Sequence, residues 1–200
     1  MERAPKLKYT AQDYLSWNDG KRWELIDGAA YAMSPSPTRG HQSVTGDLFV
    51  MLYEFLKGKP CKPVIAPYDV KLDQYSVVQP DISVWCRKDT EGKPNDDAPE
   101  TLTVVIEVLS PSTASHDLVN KRQLYEKHQI PEYWIVSPEE KSVTRFSLRG
   151  GSYIPYYFHA KDAGKDAAKN ERIETEFSET FISEVLPGFS FGVEAYFAQA

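Results

Sequence analysis

The sequence predicts an α/β domain built on a mixed β-sheet flanked by helices, and three observations carry that expectation. Two apolar runs rich in β-branched and aromatic residues, Val77–Trp85 and Leu102–Leu109, have the length of buried strands. A helical stretch from about Ala114 to His128 joins the second run to another, Ile130–Val136, which is the pattern of a βαβ unit with a right-handed crossover. Between Thr38 and about Lys57, Val44, Leu48, Met51, Leu52 and Leu56 recur at helical spacing, so a second long helix has one face to bury.

In chain order, Thr10 is placed to cap a short helix over Ala11–Trp17, with Asp13 in its first turn and Tyr14 and Trp17 on one face. Asn18-Asp19-Gly20 ends it. Arg22–Ile26 and Ala29–Met33 flank Asp27-Gly28, a pair that tolerates the left-handed backbone of a tight hairpin turn. Ser34-Pro35-Ser36-Pro37 is a punctuating loop before the long helix, which carries His41 and Asp47 near its start. Pro63–Leu72 is strand-like but interrupted by proline, as suits an edge or a bulge, and its Asp69 is expected in solvent. Arg87–Glu100 is polar and reads as a surface loop. On the helix after Leu109, Asp117, Lys121 and Tyr125 share one flank, while Leu118 and Leu124 supply apolar contacts. Strands over Ser142–Leu148 and Tyr153–Phe158 are joined by Arg149-Gly150-Gly151-Ser152.

One domain is expected over residues 1–200, with a core over about 10–158, an exposed insertion at 159–174, and an apolar segment at 175–200 packing on the core or on a dimer partner. At 41% hydrophobic and 26% charged residues, the chain has the composition of an ordinary globular protein able to bury a core. No stretch approaches a membrane span, and Met1–Lys6 lacks the apolar centre of a signal peptide, so a cytoplasmic location is expected. Cys61 and Cys86 stand far from any second cysteine or histidine at zinc-ligand spacing, and both are expected as reduced strand residues. A net charge of −6 argues against gripping nucleic acid through overall basicity. It is compatible with a site that gathers carboxylates to hold a hard cation.

The chemistry is concentrated in acids that sit where acids are costly. Asp81 and Glu107 each interrupt an apolar run, and an ionised carboxylate there needs a partner, hydrogen bonds or a cation. Side by side on neighbouring strands, the two would repel, raising one pKa and favouring a divalent metal. Asp117 and Lys121, at i and i+4, would ordinarily be a surface ion pair worth a few tenths of a kcal/mol. Glu24 alternates with Trp23 and Leu25 and could equally face solvent. His41 would ordinarily be structural, and it gains interest if the hairpin and the acidic strands converge on it. Glycoside hydrolysis by the carboxylate pair would need a cleft lined by aromatics. Trp23, Trp85 and Trp134 sit in core-like runs instead.

Taken together, Trp23–Gly28, His41 in a long helix, Gln79-Pro80-Asp81, Ile106–Ser112, Asp117…Lys121…Tyr125 and Pro131–Trp134 form an order of motifs that resembles the restriction-endonuclease-like family of the PD-(D/E)XK nuclease superfamily. The resemblance runs from about Thr10 to the C-terminus and implies a restriction-endonuclease-like mixed sheet flanked by helices, Mg²⁺ or Mn²⁺ as cofactor, DNA as substrate and a homodimer. Pro80-Asp81 matches the superfamily's PD and Glu107 its second acid. Leu109 stands where the motif lysine would be, and Lys121 on the following helix is the residue that could supply it. The resemblance thus implies Glu24, Asp81, Glu107 and Lys121 as catalytic residues. Asp81, Glu107, Glu24 and the Val108 carbonyl would be metal ligands, supported from behind by His41, Asp117 and Tyr125. The alternative is a catalytically silent nuclease-fold module that binds protein or nucleic acid, which the acidity and Leu109 favour.

Overall fold

The computed structural model describes residues 8–33, 37–87, 100–110, 114–161 and 178–199. Helix α1 (Ala11–Leu15) begins where Thr10 and Asp13 satisfy each other's backbone N–H groups in a capping box. Strands β1 (Trp23–Ile26) and β2 (Ala29–Ala32) pair antiparallel across Asp27 and Gly28, whose φ values of 49° and 87° are the left-handed turn the dipeptide suggested. Thr38 caps the long helix α2 (Arg39–Leu56) by accepting from the His41 N–H. Strands β3 (Cys61–Ile65) and β4 (Val70–Lys71) follow, with Pro67 between them, and β3 is an edge strand, as suits Pro63 within it.

The run Val77–Trp85 is not one strand. It splits into β5 (Val77–Val78) and β6 (Ile82–Arg87), and the two belong to different sheets. Pro80 has no N–H to give a ladder, so the chain leaves the small sheet at Gln79 and enters the large one after Asp81. The small sheet has the order β2-β1-β5-β4. After β7 (Glu100–Val108), a wide π-helical turn, His116–Lys121, leads into α3 (Arg122–Lys127) and then β8 (Glu132–Ser137), β9 (Ser142–Arg149) and β10 (Ser152–His159). The large sheet runs β10-β9-β8-β7-β6-β3, with β7 and β8 parallel and the other neighbours antiparallel, so it is mixed. The parallel pair spans the helical crossover the sequence suggested.

Alternation along β7 divides the core. Val104, Ile106 and Val108 face α2, joining Ile82, Val84, Trp134 and Val136. Val105 faces the other way, against Leu124 and Tyr125 of α3 and Tyr133 and Ile135 of β8. The C-terminal elements β11 (Thr180–Ile182), β12 (Ser190–Gly192) and α4 (Val193–Gln199) close the α2 side. Of the two places expected for this segment, its apolar residues take the core: Phe181, Leu186, Phe189, Phe191, Val193 and Tyr196 are all buried there. Each such side chain contributes roughly 1.5–3 kcal/mol through the apolar surface it removes from water.

Two further expectations are corrected. Cys61 and Cys86 form a disulfide, because the β3–β6 register sets them directly opposite with Cα atoms 4.0 Å apart, a pairing their sequence separation of 25 conceals. Leu118 is 42% exposed, because the π turn rotates it outward while Leu124 remains in the core. The expected loop over 88–99, most of the 159–174 insertion, Ser34–Ser36 and Pro111–Thr113 lie outside the described residues. No helix among the described residues is long and apolar enough to cross a membrane.

Candidate active site

The site forms where the two sheets meet, at the end of β7. The antiparallel register of β6 and β7 pairs Ile82 with Ile106, so Asp81, one residue earlier, stands opposite Glu107, one residue later. Asp81 Oδ2 accepts the Val108 N–H at 2.8 Å, continuing the ladder with a side chain where Pro80 has ended it. Glu24 enters from β1, 3% exposed, which decides against a solvent-facing role. Its Oε1 accepts the Gln79 N–H at 2.9 Å, so the first residue of the Gln79-Pro80-Asp81 break is pinned to the acid of the neighbouring strand.

Lys121 occupies the centre. Its Nζ lies 2.8 Å from Glu107 Oε1, 3.0 Å from Glu24 Oε1 and 3.5 Å from Asp117 Oδ1. Three donors thus face three carboxylates. Both Asp117 and Lys121 are buried, so their i,i+4 pair is not a surface ion pair. The π turn makes this possible by routing the Arg122 N–H five residues back to the Asp117 carbonyl, which also accepts from the Tyr133 hydroxyl at 3.1 Å. Tyr125 donates to Glu107 Oε1 at 3.0 Å.

His41 reaches the site from the first turn of α2. Its Nε2 lies 2.8 Å from the Val108 carbonyl oxygen and 3.3 Å from Asp81 Oδ2, so Nε2 carries the proton. His116, which sequence reasoning missed, sits in the π turn beside Asp117. Its Nε2 lies 3.5 Å from Glu24 Oε2, its Nδ1 receives the Asn120 amide at 3.0 Å, and its ring packs on Tyr31 at 4.8 Å. Only its adjacency to Asp117 on the helix after Glu107 could have singled it out. Asp69 stays outside the cluster, accepting from the Tyr14 hydroxyl and the Gln79 amide, each at 2.8 Å.

The electrostatics follow from crowding. Burial would raise the Glu24 pKa, but the Lys121 charge, His116 and the Gln79 N–H outweigh it and hold the acid at about 2. Glu107 goes the other way. Burial first, and then the charges of Asp117, Asp81 and Glu24, outweigh Lys121 and push its carboxyl well above the usual range. Burial would lower Lys121, yet Glu107, Glu24 and Asp117 together keep it charged, well above its ordinary value. Burial and the neighbouring carboxylates raise Tyr125 well above an ordinary phenol, so it remains a donor. Desolvation lowers His41, but hydrogen bonding and attraction to Asp81 prevail and raise it.

Four acidic side chains crowd one buried ammonium, and the raised Glu107 carboxyl is a sign of that crowding, which a hard cation would relieve. As they stand, however, no three histidine, cysteine, aspartate or glutamate side chains among the described residues are placed to hold a metal ion. Lys121 instead engages Glu24 and Glu107 together. Mg²⁺ would have to draw on Asp81 and on a Glu107 released from Lys121, with the Val108 carbonyl, which His41 already engages, as a third oxygen. One or two carboxylates with the balance made up by water is the usual habit of that ion.

A mixed sheet carrying an acid at a strand break, a second acid on the next strand and a helix-borne lysine places the protein in the restriction-endonuclease-like fold class. Its fold matches a crystal structure described as "a putative nuclease belonging to DUF820" from Anabaena variabilis ATCC 29413, with a TM-score of 0.70 at 15% identity over 95% of this chain and 98% of the other. The chain belongs to the Uma2 family, described as "Putative restriction endonuclease", whose profile matches residues 11–194. It is also 30% identical over 166 residues to the uncharacterized protein slr1290 of Synechocystis sp. PCC 6803, covering 80% of this chain and 85% of that protein.

Proposed function

We propose that this chain is a Mg²⁺- or Mn²⁺-dependent endonuclease that hydrolyses DNA phosphodiester bonds. The observation that carries the reading is the meeting of Glu24, Glu107 and Asp117 on Lys121, with Asp81 on the strand directly opposite Glu107. Asp81, Glu107 and the Val108 carbonyl would hold the ion, with Glu24 contributing directly or through water. When bound, the ion supplies charge neutralisation at the phosphate and acidifies the attacking water. Lys121, held charged by its carboxylates, would then be released from part of its pairing to orient the nucleophile or to stabilise charge on the phosphoryl oxygens, as a compact ammonium does. Tyr125 fixes the Glu107 carboxylate, and His41 fixes both the Val108 carbonyl and Asp81, so neither acid has to reorganise far. Asp117 anchors the Lys121 ammonium from its own helix.

The alternative, a silent nuclease-fold module, draws on Leu109, which packs partly buried against the core beside α3 and brings no charge to the acids. Incubating the protein with supercoiled plasmid and Mg²⁺ or Mn²⁺, alongside Asp81→Ala, separates the readings. Nicking or linearisation by the wild type only is expected. No cleavage together with no metal-linked rise in melting temperature would leave the silent module. A homodimer, which would set one site on each strand, is checked by sedimentation of the same sample.

A further inference from the structure

The π turn carries two pairs of side chains four residues apart, Asp117 with Lys121 and His116 with Asn120. The first pair has a part in the proposed hydrolysis. We propose that the second does as well: His116 is a positioning residue for Glu24, holding that acid's second carboxylate oxygen so that Glu24 keeps one orientation when Lys121 loosens its hold. The proposal rests on the nuclease reading and deepens it at the same site.

The two oxygens of Glu24 are divided between different donors. Oε1 accepts the Gln79 N–H at 2.9 Å and lies 3.0 Å from Lys121 Nζ, whereas Oε2 lies 3.5 Å from His116 Nε2. The seat of His116 follows from the hairpin register. Glu24 and Tyr31 stand directly opposite each other on β1 and β2, so their side chains share one face of the small sheet. The His116 ring meets both, its centroid lying 4.8 Å from that of Tyr31. From the same turn, the Asn120 amide reaches Nδ1 at 3.0 Å, which makes Nδ1 the acceptor and leaves the proton on Nε2, facing Glu24.

Nε2 is buried and has no hydrogen-bond partner among the described residues, with Glu24 Oε2 standing just beyond ordinary hydrogen-bond length. A buried donor in this state is costly, and an acceptor that moves onto it lowers the energy. Lys121 opposes that movement, because it engages Glu24 Oε1 while also serving Glu107. Once Lys121 is released from part of its pairing, Glu24 keeps the Gln79 N–H on one oxygen and closes on His116 with the other. Hydrogen bonds that are long in a free enzyme shorten in the same way in the working complex. Held at both oxygens, Glu24 meets the water shell of a bound ion in one pose.

The test compares three replacements at a side chain that is 22% exposed, so the core is left intact. His116→Gln keeps an N–H donor, His116→Phe keeps a ring against Tyr31 without the donor, and His116→Ala removes both. Mn²⁺ binding is followed through the paramagnetic resonance of the free ion, and the histidine rings of the metal-free protein by nitrogen NMR, so neither readout depends on cleavage. The proposal expects Mn²⁺ affinity to fall about tenfold or more in His116→Phe and His116→Ala, as when the support of a metal ligand is removed, and to be largely restored in His116→Gln. The ring signal that all three variants lose is expected to carry its proton on Nε2. His116→Phe binding as tightly as the wild type shows a packing role and overturns the proposal. His116→Gln binding as weakly as His116→Ala, or a wild-type ring with its proton on Nδ1, overturns it too. Plasmid cleavage by a wild type whose metal affinity all three variants match removes the positioning role and leaves the hydrolase. The expected ranking of variants without plasmid cleavage keeps the positioning role and removes the hydrolase. A wild type that binds no Mn²⁺ removes both.

Discussion

Lys121 is the residue on which the site balances. Replacing it with Met leaves Glu24, Glu107 and Asp117 buried together without their ammonium, and breaking a buried pair in this way costs about 3–5 kcal/mol. Urea unfolding of Lys121→Met should show that loss, and Mg²⁺ should restore more stability to the variant than it adds to the wild type. Equal metal responses would mean that the acids do not hold the ion. The titrations have opposite signs. Glu24 is held at about 2, below its ordinary 4.5, so its contribution is full above pH 4.5 and is lost as pH falls towards 2. His41 is raised above 6.5, so its contribution is full below that value and is lost as pH rises through the higher folded value. In metal-free protein, the wild type should therefore lose more stability than His41→Gln as pH rises from 6.5. Parallel melting curves across that range would refute the pairing of His41 with Asp81.

At the level of elements, two devices build the site. Pro80 ends β5 and lets the chain cross from the small sheet to the large one, so that Asp81 meets β7 at Val108. The π turn then swings Asp117 and Lys121 inward and Leu118 outward. A fourth buried acid serves architecture. Glu132 on β8 accepts from the Trp134 indole (2.7 Å), the Ser183 hydroxyl (2.8 Å) and the backbone N–H groups of Glu184 and Val185 (2.7 and 3.2 Å), tying the C-terminal segment to the sheet. Burial raises its pKa despite those bonds and the nearby Arg145. Glu132→Ala orphans four donors, the Trp134 indole and Ser183 hydroxyl among them buried, and should cost at least about 3 kcal/mol in denaturant unfolding. A loss below 1 kcal/mol, roughly what an ordinary hydrogen bond contributes, would show that the segment is held by its aromatic residues alone.

For the molecule as a whole, charge sets how nucleic acid is approached. With a net charge of −6, attraction to phosphates has to be local, as at the exposed neighbours Lys21 and Arg22. Two phosphate contacts correspond to a slope of about −2 or shallower in a plot of log affinity against log salt, measured with a labelled DNA oligonucleotide. A much steeper slope would point to a basic surface elsewhere. The core ties the molecule together through its C-terminus: Phe181 stacks on Phe191 and meets Trp134 and Phe158 edge-to-face, at centroid distances of 4.9, 4.6 and 5.1 Å. The last elements thus complete the side of the sheet that α2 begins.

By itself the sequence determined the periodic features: α2, the Asp27-Gly28 hairpin, the parallel pair around α3 and the strands of the large sheet, because apolar spacing and turn chemistry act within a few residues. It also marked Asp81 and Glu107 as acids in need of partners. Only the tertiary structure decided that Val77–Trp85 divides between two sheets, that Cys61 faces Cys86, that His116 touches Glu24, and that Trp23 borders a cavity rather than the core. Those outcomes depend on which strands become neighbours and on where a helix widens by one residue. Neither leaves a local pattern, since the partners are separated along the chain and meet only when the sheets close around Lys121.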